Sequence, residues 1–216
     1  MTSEMRTMSP ATSRTSVGWL VSVGVAALAV AAVTIVAQST GRFHWWAGFI
    51  LLPGALIAAT GGPLLTRGGG GRSFTGYLVV WVGGHVFAVG AILMFGAMGR
   101  CWPLMIVLPT LAVAGTYLWR PVHPLARALH RTIACLALAG AAVGGTLQLL
   151  VADVVDFGQT AWWGGFMMLA GVIMLLNGLE LLRHRIDYRV SALTLIAGPA
   201  VISFLLGLQF LRGWPY

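Results

Sequence analysis

The chain has 216 residues, of which 58% are hydrophobic and only 8% are charged, and its mean hydropathy is +0.89. Soluble domains carry about 25% charged residues, so this composition excludes an ordinary water-soluble fold and favours an all-α integral membrane protein. The net charge of +8 does not indicate nucleic-acid binding, because the basic residues, all Arg, lie in short gaps between apolar stretches.

Seven apolar stretches are long enough, or nearly long enough, to cross a bilayer, which needs roughly 20 residues per helix. Helices are predicted because unpaired strand backbones are costly in lipid. The fourth stretch is the shortest and carries Pro103 and Pro109. In chain order, the predicted spans cover residues 17–38, 44–66, 74–97, 102–119, 132–152, 160–182 and 190–211.

The arginines predict that the N-terminus lies in the cytoplasm and the C-terminus outside. In that orientation ten arginines flank the inner ends of the spans and three flank the outer ends, as the positive-inside rule requires. We therefore predict a multi-pass protein of the plasma membrane, specifically a bacterial inner (cytoplasmic) membrane. Six tryptophans agree by falling at the outer interface: Trp45, Trp46, Trp102, Trp162, Trp163 and Trp214.

The chain is predicted to hold one membrane domain, residues 16–216, after a disordered cytoplasmic tail, residues 1–15, rich in Ser, Thr and Met. The first apolar stretch is longer than the 7–15 residues typical of a signal peptide, so we expect a retained helix rather than a cleaved leader. Cys101 and Cys135 are predicted near opposite membrane faces, where they cannot form a disulfide.

An internal repeat organises the spans. Residues 45–61 (WWAGFILLPGALIAATG) match residues 162–178 (WWGGFMMLAGVIMLLNG), and extending the same offset of 117 over 41–90 gives fourteen identities in fifty positions. Independent selection of interfacial Trp pairs would not explain matches that continue into the next helix. The duplication predicts two parallel three-helix repeats, about 17–97 and about 132–211, joined by a linker helix at about 102–119.

This 3+1+3 plan resembles the sugar transporters of the SWEET class, which implies a small-solute site between the repeats. The chain departs from that family because the Pro-Gln pair typical of it is absent and the family's N-terminus lies outside. His44, at the outer start of span two, resembles a haem-ligand position of haem-copper oxidase core subunits, which implies a redox role. The second repeat has Ala161 at that position, and no span offers a second axial ligand or a His cluster for copper.

Polar side chains inside the spans suggest a ligand or proton site, because intramembrane ionisable residues usually face the bundle interior and serve function. His85 lies near the middle of span three, although a His hydrogen-bonded to a neighbouring helix is the structural alternative. Glu180 can pair locally with Arg183 or His184, or act as a proton-coupling carboxylate. The full candidate set is His85, Trp81, Gln148, Thr60, Asn177 and Glu180.

A second, speculative site is a soft-metal centre at the outer face, since thioether and thiolate groups suit Cu(I). Met is also a common gap filler in apolar packing, and no recognised ligand spacing occurs. The sequence assigns no particular cofactor. The residues concerned are His44, Met94, Met98, Cys101 and Met105.

The inner loops carry arginines that we expect to contact anionic lipid headgroups. Gly140 and Gly144 form a GxxxG pair that predicts close helix contact. Expected partners are the lipid bilayer and either a second copy of the chain or another membrane subunit, and nucleic acid is not expected. The headgroup arginines are Arg67, Arg72, Arg120, Arg127, Arg131, Arg183, Arg185 and Arg189.

Three classes of function remain from the sequence. The first is a small-solute transporter or permease-like protein, the second a haem- or copper-associated redox subunit, and the third an accessory structural subunit of a membrane complex. The duplication and the buried polar groups favour the first. An enzyme is not expected, because the sequence contains no P-loop, HExxH, GxSxG or CxxC motif.

Overall fold

A computed structural model describes residues 11–67, 70–158, 161–183 and 188–213, with side chains from residue 17 onward except that of Arg67. Within these ranges the chain is helical and contains no strand, so the all-α membrane-type fold is confirmed. The predictions for the tail up to residue 10 and for His184, Arg185 and Trp214 lie outside the described residues.

Eight helices and two short 3-10 turns make up the described chain. The 3-10 turns cover Trp45–Ala47 and Thr116–Leu118. The helices are α1 (Ala11–Ser39), α2 (Gly48–Arg67), α3 (Gly70–Met94), α4 (Met98–Cys101), α5 (Leu104–Gly115), α6 (Pro124–Val151), α7 (Trp163–Leu182) and α8 (Arg189–Leu211).

Six of the described helices are long and apolar enough to cross a membrane, which makes the chain a multi-pass membrane protein. The sequence predicted seven spans, and the fourth of these is shorter than the six. It consists of α5, with 12 residues, and a three-residue 3-10 turn. Together they are about 24 Å long, whereas a hydrocarbon core is roughly 30 Å thick. Pro103 before α5 and Pro121 after the turn limit the extension of this segment.

Three other helix boundaries differ from the prediction. The helix α1 begins at Ala11, six residues before the predicted start and inside the tail predicted to be disordered. The helix α3 begins at Gly70, four residues before the predicted start. The helix α6 begins at Pro124, eight residues before the predicted start, because proline is favoured in the first turn of a helix, where its missing N–H costs no hydrogen bond. Some helices therefore extend beyond the apolar stretch that predicted them.

The chain divides into two compact units, Met1–Met98 and Gly99–Tyr216. In unit 1, α2 and α3 pack antiparallel through glycines. A Cβ on Gly83 would overlap the backbone nitrogen of Ala58, and one on Gly90 would lie 2.6 Å from Leu51 Cα. Gly83 and Gly90 therefore allow the two backbones to approach closely.

Unit 2 uses the same packing principle. Gly171 of α7 lies against Phe204 of α8, and a Cβ at Gly171 would be 2.9 Å from the Phe204 nitrogen. Gly144 of α6 lies against Val107 of α5, and a Cβ at Gly144 would be 2.7 Å from Val107 Cγ2. The predicted GxxxG contact is confirmed, and Cys101 and Cys135 are both free, as predicted.

The distribution of apolar residues is the reverse of that in a soluble protein. Most buried hydrophobic residues are alanines, whereas large side chains such as Phe49, Leu28 and Leu195 are more than 70% exposed. Small residues at helix contacts and large apolar residues outside are expected when lipid is the solvent. The exposed surface therefore supports a lipid environment independently of helix length.

Replacing Gly83 with Ala should destabilise the protein, because the new Cβ would overlap backbone atoms that cannot move independently. Overpacking of this kind costs about 1–3 kcal/mol. The adjacent Gly84→Ala variant is the matched control, since a Cβ there meets nothing within 4 Å. Thermal unfolding in detergent should give a lower midpoint for Gly83→Ala and an equal or higher one for Gly84→Ala; equal midpoints for the two variants would contradict the packing.

Candidate functional site

The clearest polar network in the described membrane helices joins α6 to α7. Arg131 Nε donates to Asn177 Oδ1, and Arg131 Nη2 forms an ion pair with the Glu180 carboxylate. Asn177 and Glu180 lie three residues apart and so share one face of α7. Asn177 is only 8% exposed, and its amide group also donates to the Ile173 carbonyl at 2.8 Å. One guanidinium thus bridges both predicted polar residues of α7.

The described ion pair of Glu180 differs from the local pairing that the sequence suggested. It forms with Arg131 of the neighbouring helix rather than with Arg183, while His184 lies outside the described residues. Arg183 caps the end of α7 through its backbone, whose N–H donates to the Glu180 carbonyl at 3.1 Å.

The network lines a cavity of about 210 Å³. A single buried water requires about 10–15 Å³ on this measure, so the space accommodates several small molecules or one small ligand. A hydrophobic cluster of Ala128, Leu181, Ala192 and Ile196 packs beside it. The lining residues are Tyr117, Arg120, Pro121, Arg127, His130, Arg131 and Glu180.

Backbone carbonyls hold the other basic side chains of the cavity in place. Arg127 donates from Nε to the Pro121 carbonyl at 3.2 Å and from Nη2 to the Val122 carbonyl at 3.0 Å. His130 Nε2 lies 2.8 Å from the Thr116 carbonyl. These bonds fix the segment between α5 and α6 against the first turns of α6.

Arg120 approaches the cavity from this connecting segment. Its guanidinium carbon lies 5.9 Å from the centre of the Tyr117 ring, within the range of a cation–π contact. Three arginines therefore line the cavity, and among the described lining residues Glu180 is the only acidic one. The cavity carries an excess of positive charge that suits an anionic ligand.

Sequence analysis expected these three arginines to contact lipid headgroups but did not join them to Asn177 and Glu180. A usable signal was present, because Arg127, His130 and Arg131 are spaced i, i+3 and i+4 and so share one face of α6. Tyr117 had no such signal, because its position depends on the turn that follows α5.

Gln148 does not belong to this network. It lies on α6, 17 residues beyond Arg131 and so about 25 Å along the helix. Its Nε2 donates to the Arg100 carbonyl at 2.8 Å, while its buried Oε1 has no hydrogen-bond partner among the described residues. Gln148 thus fastens α6 to the segment before α5.

The remaining candidates of the ligand set lie in unit 1. His85 is half-buried on α3, and its buried Nδ1 has no hydrogen-bond partner within the part of the chain that the structure describes. Trp81 packs edge-on against Tyr77, with 6.1 Å between ring centres. Thr60 is exposed on α2 and donates to the Ile57 carbonyl at 2.7 Å. The apolar cavity described in unit 1, lined in part by Ala55, Val80 and Phe87, includes none of the three candidates.

His44 acts within unit 1 as a cap for α3. Its backbone N–H donates to the Met94 carbonyl at 3.1 Å, and its Nδ1 lies 3.1 Å from the same oxygen. Gly96 follows with a φ of +61°, and a Cβ there would lie 2.9 Å from His44 Cε1. The last carbonyls of a helix need hydrogen-bond donors from outside the helix. His44 supplies one to α3, which gives this residue a structural role.

The soft-metal set has no further support. Among the described residues, no group of three or more His, Cys, Asp and Glu side chains could hold a metal ion. Met94 is 3% exposed, and Cys101 ends α4 while Met105 lies in α5. The copper site therefore stays a prediction.

The other arginines of the headgroup set lie at helix ends. Arg72 is exposed in the first turn of α3, and Arg183 and Arg189 are exposed at the end of α7 and the start of α8. The side chain of Arg67 and the whole of Arg185 lie outside the described residues. Exposure at helix ends is compatible with lipid contact, which stays a prediction.

Comparisons of the chain with known protein families, with curated proteins and with solved structures find no match. The class of protein therefore rests on the chain itself: it is an all-helical, multi-pass membrane protein with a basic cavity in its second unit.

A double-mutant cycle at Arg131 and Glu180 should show that the two side chains stabilise each other. We expect Arg131→Gln and Glu180→Gln to destabilise individually and to couple by about 0.5–3 kcal/mol in unfolding free energy, because each single change leaves a charge in a low-dielectric site. Reversible unfolding in mixed detergent measures this energy. Arg100→Gln combined with Glu180→Gln is the control and should be additive; full additivity of the Arg131 cycle would contradict the ion pair.

Proposed function

We propose that this protein is a small-solute transporter of the permease-like kind and that the cavity of unit 2 is its binding site for an anion. The observation that carries the proposal is the Arg131–Glu180 ion pair, which lines a cavity together with two further arginines. Ionisable side chains in membrane helices are costly, and they commonly mark substrate or ion pathways.

The partial exposure of the pair supports this role over a purely structural one. The side chains of Arg131 and Glu180 are 34% and 20% exposed and both line the cavity, while the paired oxygen Glu180 Oε2 is itself buried. A sealed ion pair would only fasten α6 to α7. An accessible pair can exchange one partner for a ligand, and the buried amide of Asn177 keeps Arg131 in position while this happens.

We also propose seven membrane crossings, with the N-terminus inside and the C-terminus outside. The contacts of α6 support a crossing by the short fourth segment. Gln148 of α6 binds the Arg100 carbonyl, and His130 of α6 lies beside the Thr116 carbonyl. These two points are 18 residues apart on α6, which corresponds to about 27 Å. The segment from Arg100 to Thr116 therefore extends along almost one membrane thickness.

The proposed duplication gains support from conformation. Gly41 and Gly158, which are equivalent at the offset of 117, both adopt positive φ, +69° and +58°. Trp45 and Phe49 pack edge-on with ring centres 5.9 Å apart, and their equivalents Trp162 and Phe166 do so at 5.8 Å. A shared turn and aromatic pair are expected if both segments descend from one ancestor.

Helix packing within each unit supports the same proposal. Two glycine contacts between neighbouring helices in unit 1 recur in unit 2 at positions 117 residues later. The contacts are Gly54 with Phe87 and Gly90 with Leu51 in unit 1, and Gly171 with Phe204 and Gly207 with Met168 in unit 2. With seven crossings, equivalent helices traverse the membrane in the same direction, as in parallel repeats.

The distribution of arginines supports a bacterial cytoplasmic membrane as the site of action, since basic loops remain on the inner side. Assembly with a second copy of the chain or with another membrane subunit stays a prediction.

Anion-driven currents in proteoliposomes on solid-supported membranes test transport. Jumps in chloride, acetate, lactate and inorganic phosphate concentration should give a current for at least one anion, and Arg131→Gln should reduce it at least tenfold. Arg100→Gln is the control, because Arg100 lies near the opposite end of α6. Transport is contradicted if no anion exceeds protein-free liposomes, or if Arg131→Gln transports at the wild-type rate.

Reporter fusions test the seven crossings. Alkaline phosphatase fused after Tyr216 should be active in a bacterial host, because that enzyme folds only outside the cytoplasm, and a green fluorescent protein at the same point should stay dark. Fusions after Arg72 should give the opposite pair of results. An inactive phosphatase with a fluorescent partner at Tyr216 would indicate an even number of crossings.

A further inference from the structure

The cavity of unit 2 holds more positive charge than its own residues neutralise. Arg120, Arg127 and Arg131 are permanently charged, and Glu180 offsets one of them, which leaves two positive charges before His130 is considered. Uncompensated charges near a membrane interior are costly. A bound anion of one or two negative charges would remove this cost.

The guanidinium groups are held in fixed positions with donors remaining. A guanidinium carries five N–H donors. Arg127 uses two for the Pro121 and Val122 carbonyls, whereas Arg131 donates from Nε to Asn177 and lies in an ion pair with Glu180, so donors remain on both within the described residues. Side chains already oriented by such bonds lose little entropy when a ligand binds.

These donors suit a phosphate group better than a carboxylate. A phosphate presents three or four acceptor oxygens around one centre, whereas a carboxylate presents two, and arginine forks bind phosphate oxygens in pairs. Two or three guanidinium groups around one cavity therefore fit a multi-acceptor anion. A charge of one or two also matches the excess of two positive charges.

The position and rim of the cavity indicate where such a phosphate would come from. The cavity is lined from the turn after α5, the first turns of α6 and the last turn of α7, which places it at the ends of membrane helices. Leu118 and Val122, on either side of Arg120, are 78% and 89% exposed. An apolar rim beside a basic cavity at headgroup depth suits a phospholipid, whose acyl chains begin next to its phosphate.

We propose that the cavity recognises a phosphate group carried by an anionic ligand, with the phospholipid headgroup as the form that the rim favours. The inference rests on the proposed function in taking this cavity as the ligand site. It adds the chemical class of the ligand, which charge alone leaves open.

Equilibrium binding to the full-length, delipidated protein in neutral detergent tests the proposal. The probes are inorganic phosphate, short-chain dihexanoyl phosphatidylglycerol and acetate, measured by isothermal titration calorimetry. Wild type should bind at least one phosphate probe ten times more tightly than acetate. Binding of phosphatidylglycerol without inorganic phosphate identifies the lipid as the source, whereas comparable binding of inorganic phosphate identifies a soluble phosphorylated ligand.

Arg127→Gln is the informative variant, because Arg127 takes no part in the Arg131–Glu180 pair. It should weaken phosphate-probe binding at least tenfold, whereas Arg100→Gln should leave it unchanged. Arg120→Gln, on an exposed side chain, provides a second variant if Arg127→Gln fails to fold. The proposal is overturned if acetate binds as tightly as both phosphate probes, or if neither variant of the cavity weakens binding.

The results separate this inference from transport itself. Phosphate binding without any anion current would support the ligand class and contradict the transporter. A current carried by another anion, in a protein that does not bind phosphate, would support the transporter and overturn the ligand class.

Discussion

Close approach of helix backbones at small residues is the constraint on which the rest of this structure depends. Lipid provides no hydrophobic driving force between helices, so packing and interhelical hydrogen bonds must hold them together. Gly83 lies directly against the backbone of Ala58, and Gly171 lies against Ala200 and Phe204. Once α2 with α3 and α7 with α8 are fixed in this way, the large apolar side chains face outward.

The same constraint makes the polar network of unit 2 feasible. Arg131 can reach Asn177 and Glu180 because α6 packs directly on α7, beside the small, fully buried Ala128. The bonds then impose their own requirement, since an isolated charge at this position would be costly. The proposed binding site therefore uses the same guanidinium that fastens α6 to α7.

Sequence patterns predicted individual helices and contacts well where one local property decided them. Gly140 and Gly144 were expected to meet another helix, and they do, because glycine spacing reports backbone approach directly. Asn177 and Glu180 were both candidate site residues from the sequence, and their spacing of three places them on one face of α7. The fourth apolar stretch lies where it was predicted, but hydropathy did not indicate that it forms a short α-helix followed by a 3-10 turn.

The sequence by itself determined that this chain is a helical membrane protein, because long apolar stretches with few charges have no other stable solution in lipid. It also determined which residues are costly in a membrane. Only the tertiary structure decided their partners: Glu180 pairs with Arg131, and His44 caps α3 at Met94. Such partners are separated by about 50 residues, and their meeting depends on how neighbouring helices rotate and cross, which no local pattern encodes.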